Sequence, residues 1–192
     1  MEEDAECVRF LEYLKFYIEK HQVDLFNYVI MPSHVHLLFS TKEKADVDIV
    51  MHDICLAVSR DFNKRHSRGG HFWRHRYRSR IIDNDLYALA CLRYIDRNPV
   101  VAGHVQKPQE WVWSGHKFYA FGEPSDFLKL HPSFALLGDS EEIRRHSYRL
   151  FTSAAVFKDK VSDTLFEMRH SIKSLRYRDA YRRTIVAIKQ VI

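Results

Sequence analysis

The chain has 192 residues, 46% of them hydrophobic and 14% aromatic, which suits a packed globular domain with an elaborated end and excludes a disordered chain. No run of about 18 apolar residues occurs, which argues against a membrane span, and the acidic start MEEDAECVRF is unlike a signal peptide. Three cysteines, Cys7, Cys55 and Cys91, form no C-x-x-C pair and exclude a disulfide framework or a zinc knuckle. The reading is an intracellular soluble protein.

The net charge is +5 and the isoelectric point near 9.1, and the distribution says more than the total. Between Arg60 and Arg80 eight basic residues face one acid, Asp61, and from Glu141 onward twelve basic residues face six acidic ones. Basic zones on an otherwise acidic body suit a surface that tracks phosphates. A solvated basic strand or tail would have the same composition.

In chain order, Val8, Leu11, Leu14, Phe16, Tyr17 and Ile18 fall near helical spacing and predict an amphipathic helix over 3–20. Residues 23–30 read as a strand, Met31-Pro32-Ser33 as a tight turn and 34–40 as the returning strand. Residues 46–65 predict a helix with acids early and bases late. HFWRHRYRSRII, residues 71–82, alternates strictly, which predicts a strand with Arg74, Arg76, Arg78 and Arg80 on one face and Trp73, His75, Tyr77 and Ser79 on the other. Residues 83–98 predict a helix capped by Asp83 or Asn84 and stopped by Pro99. This order is that of a split β-α-β fold without its first strand. Residues 99–122 read as a loop region wrapping the core, 139–151 as a helix, and 160–190 as a basic, amphipathic helical stretch.

The chemistry centres on NYVIMPSHVHLLFS, residues 27–40. In a strand, residues two apart share a face, so His34 and His36 point the same way. An isolated H-x-H more often marks the polar face of a half-buried strand than a pair of metal ligands, and the metal reading needs a third ligand and a chemical purpose. If the histidines bind metal, the helix over 83–98 supplies the completion, because Tyr94 and Asn98 lie four apart on one helical face. Two imidazoles and an amide leave a divalent cation its full charge, suited to a phosphodiester transition state. Tyr94 then reads as the attacking group.

MPSHVHLLF (31–39), GHFWRHRYRSR (70–80) and RYIDRNPVVAG (93–103), in this order and spacing, resemble the single-tyrosine HUH transposases of the IS200-like family. Within them the chain is similar to the REP-associated tyrosine transposases, and the likeness extends over about residues 8–150, including WVWS and FALLGDSEE. The resemblance implies an α+β fold, a ferredoxin-like antiparallel sheet with helices, here without the usual first strand, plus a C-terminal helical extension. It implies a catalytic domain over 1–137 and a basic extension over 138–192. His34, His36 and Asn98 would hold Mg²⁺ or Mn²⁺, and Tyr94 would attack single-stranded hairpin DNA, becoming joined to a 5′-phosphate. Arg74, Arg76, Arg78, Arg80, Lys64 and Arg65 would contact DNA, with Trp73 and Tyr77 stacking. Asp96, where relatives often carry histidine, would bring a negative charge near the scissile phosphate. A nucleoid-associated cytoplasmic protein of a prokaryotic cell, monomeric in preference to homodimeric, completes the expectation.

Two other classes compete. A hairpin DNA-binding remnant without chemistry would keep the basic face, and a metallohydrolase would use the histidine pair alone. The second lacks a nearby carboxylate ligand.

Overall fold

The computed structural model describes residues 4–41 and 47–153, and the backbone of residues 184–190. Helix α1, Asp4–Lys20, buries Cys7, Phe10, Leu14 and Ile18, the single stripe that its spacing dictates. Its end is closed by Gln22 at φ 54° and by Val23 N–H donating to the Ile18 carbonyl at 2.8 Å. Strands β1, Asp24–Ile30, and β2, His34–Ser40, form an antiparallel hairpin with Ile30 opposite Val35 and Val29 opposite His36. Helix α2, Val47–Arg65, follows, and it packs with α1 on one face of the hairpin against Leu25, Ile30, Val35, Leu37 and Phe39.

On the opposite face lies α3, Asp85–Val101, with Phe26, Val29 and Leu38 packed against Leu89, Leu92 and Ile95. The ladder shifts register between Leu25 and Asn27. Such a bulge turns two neighbouring side chains to one side, and here Phe26 and Asn27 both face α3.

Three sequence expectations change. The strand expected over 71–82 is confined to β3, Arg78–Ile82. Its predecessors abandon the alternation because Phe72 and Trp73, adjacent in sequence, both pack toward Phe10, and Trp73 Nε1 donates to the Cys55 carbonyl at 2.8 Å. The helix expected to stop before Pro99 runs through it to Val101. Proline removes one donor, yet Ala102 and His104 still close onto the Asn98 and Pro99 carbonyls at 2.9 Å.

The third change concerns the C-terminal stretch expected to be helical to 190. Residues 184–190, TIVAIKQ, are a strand, as a segment rich in β-branched residues prefers; residues 154–183 lie outside the described residues. We label this strand β4. The sheet has four strands in the order β1-β2-β4-β3, with β4 antiparallel to both neighbours. The sheet expected without its usual first strand thus gains a neighbour for the histidine strand from residues 184–190.

Beyond α3 the chain covers the outer edge of β1. Ile30 N–H donates to the Trp113 carbonyl at 2.9 Å and Gly115 N–H to the Tyr28 carbonyl at 3.0 Å. A Cβ at Gly115 would meet Asn27 Oδ1 at 2.3 Å, so only glycine allows this approach. Helix α4, His116–Phe121, and α5, Glu141–Ser153, then complete the layer around α3. The boundary expected at 137/138 falls between a 3₁₀ turn at Pro132–Leu137 and α5. Arg145 donates to the Phe118 carbonyl at 2.7 Å and Arg149 to that of Ala120 at 2.5 Å, so α5 binds the carbonyls that end α4.

On the other face, Arg65 clamps Glu6 with two hydrogen bonds of 2.6 and 2.7 Å and reaches Asp61 at 2.8 Å. The guanidinium holds the Glu6 carboxyl down to about 2, against an unfolded value near 4.5. A depressed carboxylate contributes stability that is complete above the unfolded value and lost as pH falls through the folded one. Urea unfolding at pH 7 and pH 3 should therefore show Glu6→Gln costing on the order of 2 kcal/mol at the higher pH and distinctly less at the lower. An equal cost at both would show that the ion pair adds nothing.

Candidate functional site

The face of β2 that looks at α3 carries His34 and His36, and their rings meet edge to face with centroids 4.8 Å apart. Asn98, one turn before the end of α3, places its amide between them. His34 Nε2 lies 3.1 Å from Asn98 Oδ1, and Asn98 Nδ2 donates to His36 Nε2 at 3.1 Å. Tyr94, a turn earlier, sets its ring against His36 at 5.3 Å, near perpendicular. It keeps 40% of its surface exposed while His36 keeps 2%. The tyrosine therefore stands at the mouth of the site and the imidazole at its floor.

Burial pushes His36 down to about 3, with the neighbouring His34 adding to the effect. Burial also lowers His34, opposed by its bond to Asn98 and reinforced by His104. Both imidazoles are neutral near pH 7, as metal ligation requires. His34 Nδ1 has Ser33 Oγ at 3.0 Å, a partner of the kind that orients ligating histidines. Among the described residues, His36 Nδ1 is buried without a hydrogen-bond partner, and no cluster of three His, Cys, Asp or Glu forms. Two neutral imidazoles gathered about one amide, His34 at its oxygen and His36 at its nitrogen, are nevertheless donors of the kind that suit a small divalent cation.

Asp96 is not near this mouth. It is wholly buried on the opposite side of α3, because a residue two positions from Tyr94 and Asn98 points away from both. Its carboxylate accepts from Asn27 Nδ2 at 2.8 Å, His116 Nδ1 at 2.8 Å and the Tyr148 hydroxyl at 2.6 Å. Asn27, His116 and Tyr148 were not evident as partners in the sequence. Their signal is only the bulge in β1 and the fact that α3 must be held firmly if Tyr94 and Asn98 are to keep station.

The basic residues divide. Arg74, Arg76, Arg78, Arg80 and Lys64 are exposed, whereas the Arg65 guanidinium is occupied by Glu6 and Asp61. Trp73 and Tyr77 line a cleft of about 420 Å³ with Met51, His52 and Arg76, and the Tyr77 hydroxyl bonds to Asp48. Arg74 and Arg76 precede the strand, while Arg78 and Arg80 alternate with Ser79 along it.

No helix among the described residues is long and apolar enough to cross a membrane. Comparison with curated proteins and with solved structures finds no match. A family model described as transposase, IS200-like, matches residues 3–98, which take in the histidine strand, the basic segment and the tyrosine helix through Asn98. That match covers half of the chain, and the chain belongs to the IS200-like transposase family.

Proposed function

We propose that the protein cleaves and rejoins single-stranded hairpin DNA as a REP-associated, single-tyrosine HUH transposase on a ferredoxin-like sheet. The observation that carries this reading is the joining of His34, His36 and Asn98 by hydrogen bonds beneath the exposed Tyr94 ring. These three side chains would hold Mg²⁺ or Mn²⁺, which would supply positive charge to the phosphorane-like transition state. The Tyr94 hydroxyl gives up its proton to water as its oxygen attacks the scissile phosphorus, and a Tyr94–5′-phosphate bond forms. The bond to the 3′-oxygen breaks, and that oxygen takes up a proton from water and leaves as a 3′-hydroxyl. Rejoining reverses these events with a 3′-hydroxyl from another strand.

The exposed arginines and Lys64 bind the backbone, Trp73 and Tyr77 offer ring faces to unpaired bases, and Arg65 supports the fold. The catalytic unit runs through residue 137, and the basic extension over 138–192 returns β4 to the sheet. The protein works as a monomer on chromosomal DNA in a prokaryotic cell.

The test mixes purified protein, single-stranded hairpin DNA and Mn²⁺ and looks for a denaturant-resistant protein–DNA adduct. An adduct supports the reading, and hairpin binding without one supports the DNA-binding remnant. A separate expectation concerns the basic face. Arg76→Ala with Arg78→Ala should weaken binding and reduce the slope of log affinity against log salt by about 2, one per lost phosphate contact. An unchanged slope would remove these residues from the phosphate track.

A further inference from the structure

The family match ends at residue 98, yet the sheet that carries the candidate site is completed by residues 184–190. Ile188 is the register partner of His36 on one side and of Arg78 on the other. Val186 likewise stands between Leu38 and Arg80. Directly opposed residues of neighbouring antiparallel strands share a face, so Arg78 and Arg80 lie on the face of the histidines. The core supports this placement independently, because Ile82, two residues past Arg80, packs with Leu38 and Leu92 on the α3 side.

We infer that β4 is a positioning strand of the nuclease site, setting both the separation and the level of the histidine strand and the arginine strand. Two strand spacings put the backbone of Arg78 about 10 Å from that of His36. A DNA strand held at the histidines would cross this face toward Arg78 and Arg80. Among the described residues β3 has no other strand neighbour, and β2 has only β1 on its other side. Without β4 the arginine strand would keep its Ile82 anchor in the core but lose the hydrogen-bonded register that sets it level with the histidine strand. The functional part of this inference rests on the proposed transposase reading, and the structural part does not.

A disulfide tests both. Ser79 and Ala187 are register partners, and opposed Cα atoms in an antiparallel pair are about 4.5–5.5 Å apart, within disulfide reach. Ser79→Cys with Ala187→Cys in the full chain, exposed to oxidised glutathione, should close within one molecule, and faster than the off-register pair Ser79→Cys with Ile185→Cys. Failure to close, equal closure of both pairs, or closure between two molecules would overturn the placement.

Hairpin DNA and Mn²⁺ supply the functional readout. The closed form should yield the covalent adduct at the rate of the reduced form, and loss of activity on closing that returns on reduction would overturn a positioning role. Ile188→Pro, which places proline in a strand paired on both sides, should lower the adduct rate at least about 100-fold and reduce the salt slope, because a small misplacement of a reacting site has that scale of effect. Ile188→Val should restore both. Ile188→Pro with unchanged rate and slope would contradict the inference. If Ile188→Pro fails to fold, the closed disulfide form decides. If the parent chain forms no adduct but the register pair closes, the transposase reading fails and the placement of β4 stands.

Discussion

Tyr94→Phe should lower adduct formation on hairpin DNA by at least about 10³-fold, the scale seen when a covalent nucleophile is removed. Hairpin affinity should stay close to that of the parent, because the substitution deletes one oxygen. The ring that packs against His36 remains, and the hydrogen bonds that join the two imidazoles through the Asn98 amide do not involve the hydroxyl. An electrophoretic assay under denaturing conditions reads the adduct, and filter binding without metal reads the affinity. A parallel loss of both would show that Tyr94 acts in binding or folding. Metal-dependent cleavage that survives the change would assign the histidines to a hydrolase in which water is the attacking group.

The centre of this site was legible because its geometry is local. A period of two puts His34 and His36 on one face whatever the rest of the chain does, and a period of 3.6 stacks Tyr94 over Asn98. The remaining step, that these two faces meet, was read only on the condition that the histidines bind metal, and spacing alone does not require it. The same helical geometry already contradicted the idea of Asp96 beside the scissile phosphate, since positions 94 and 98 point one way and 96 the other. What the sequence hid was non-local. TIVAIKQ shows β-branched alternation, but it follows a long charged stretch, and its partners lie more than a hundred residues earlier. Alternation over 71–77 was visible but lost to tertiary packing, because Phe72 and Trp73 have a shared hydrophobic surface to reach. Pro99 failed to end its helix for a comparable reason: it is buried in the core, and only one backbone bond is lost to keep it there.

Asp96→Ala should be the most destabilising substitution on α3. The carboxylate gathers donors from three separate elements, Asn27 on β1, His116 at the start of α4 and Tyr148 on α5. All four side chains are buried, so removing the acceptor strands three donors away from water at once. A stranded buried donor costs about 1–3 kcal/mol, and the combined loss should be at least about 3 kcal/mol in urea unfolding, or roughly 10 °C in melting temperature. Asn27→Ala removes one donor from the cluster and should cost less than half as much. The functional consequence follows from where Asp96 stands. The turn of α3 that presents Tyr94 and Asn98 to β2 is anchored from behind by this one carboxylate, so the folded fraction of Asp96→Ala should form adduct about 100-fold more slowly. Hairpin binding through the exposed arginines should hardly change. Stability equal to the parent would show that the cluster is dispensable. Parent stability-corrected activity would show instead that α3 is held in place by its apolar face alone, through Leu89, Leu92 and Ile95.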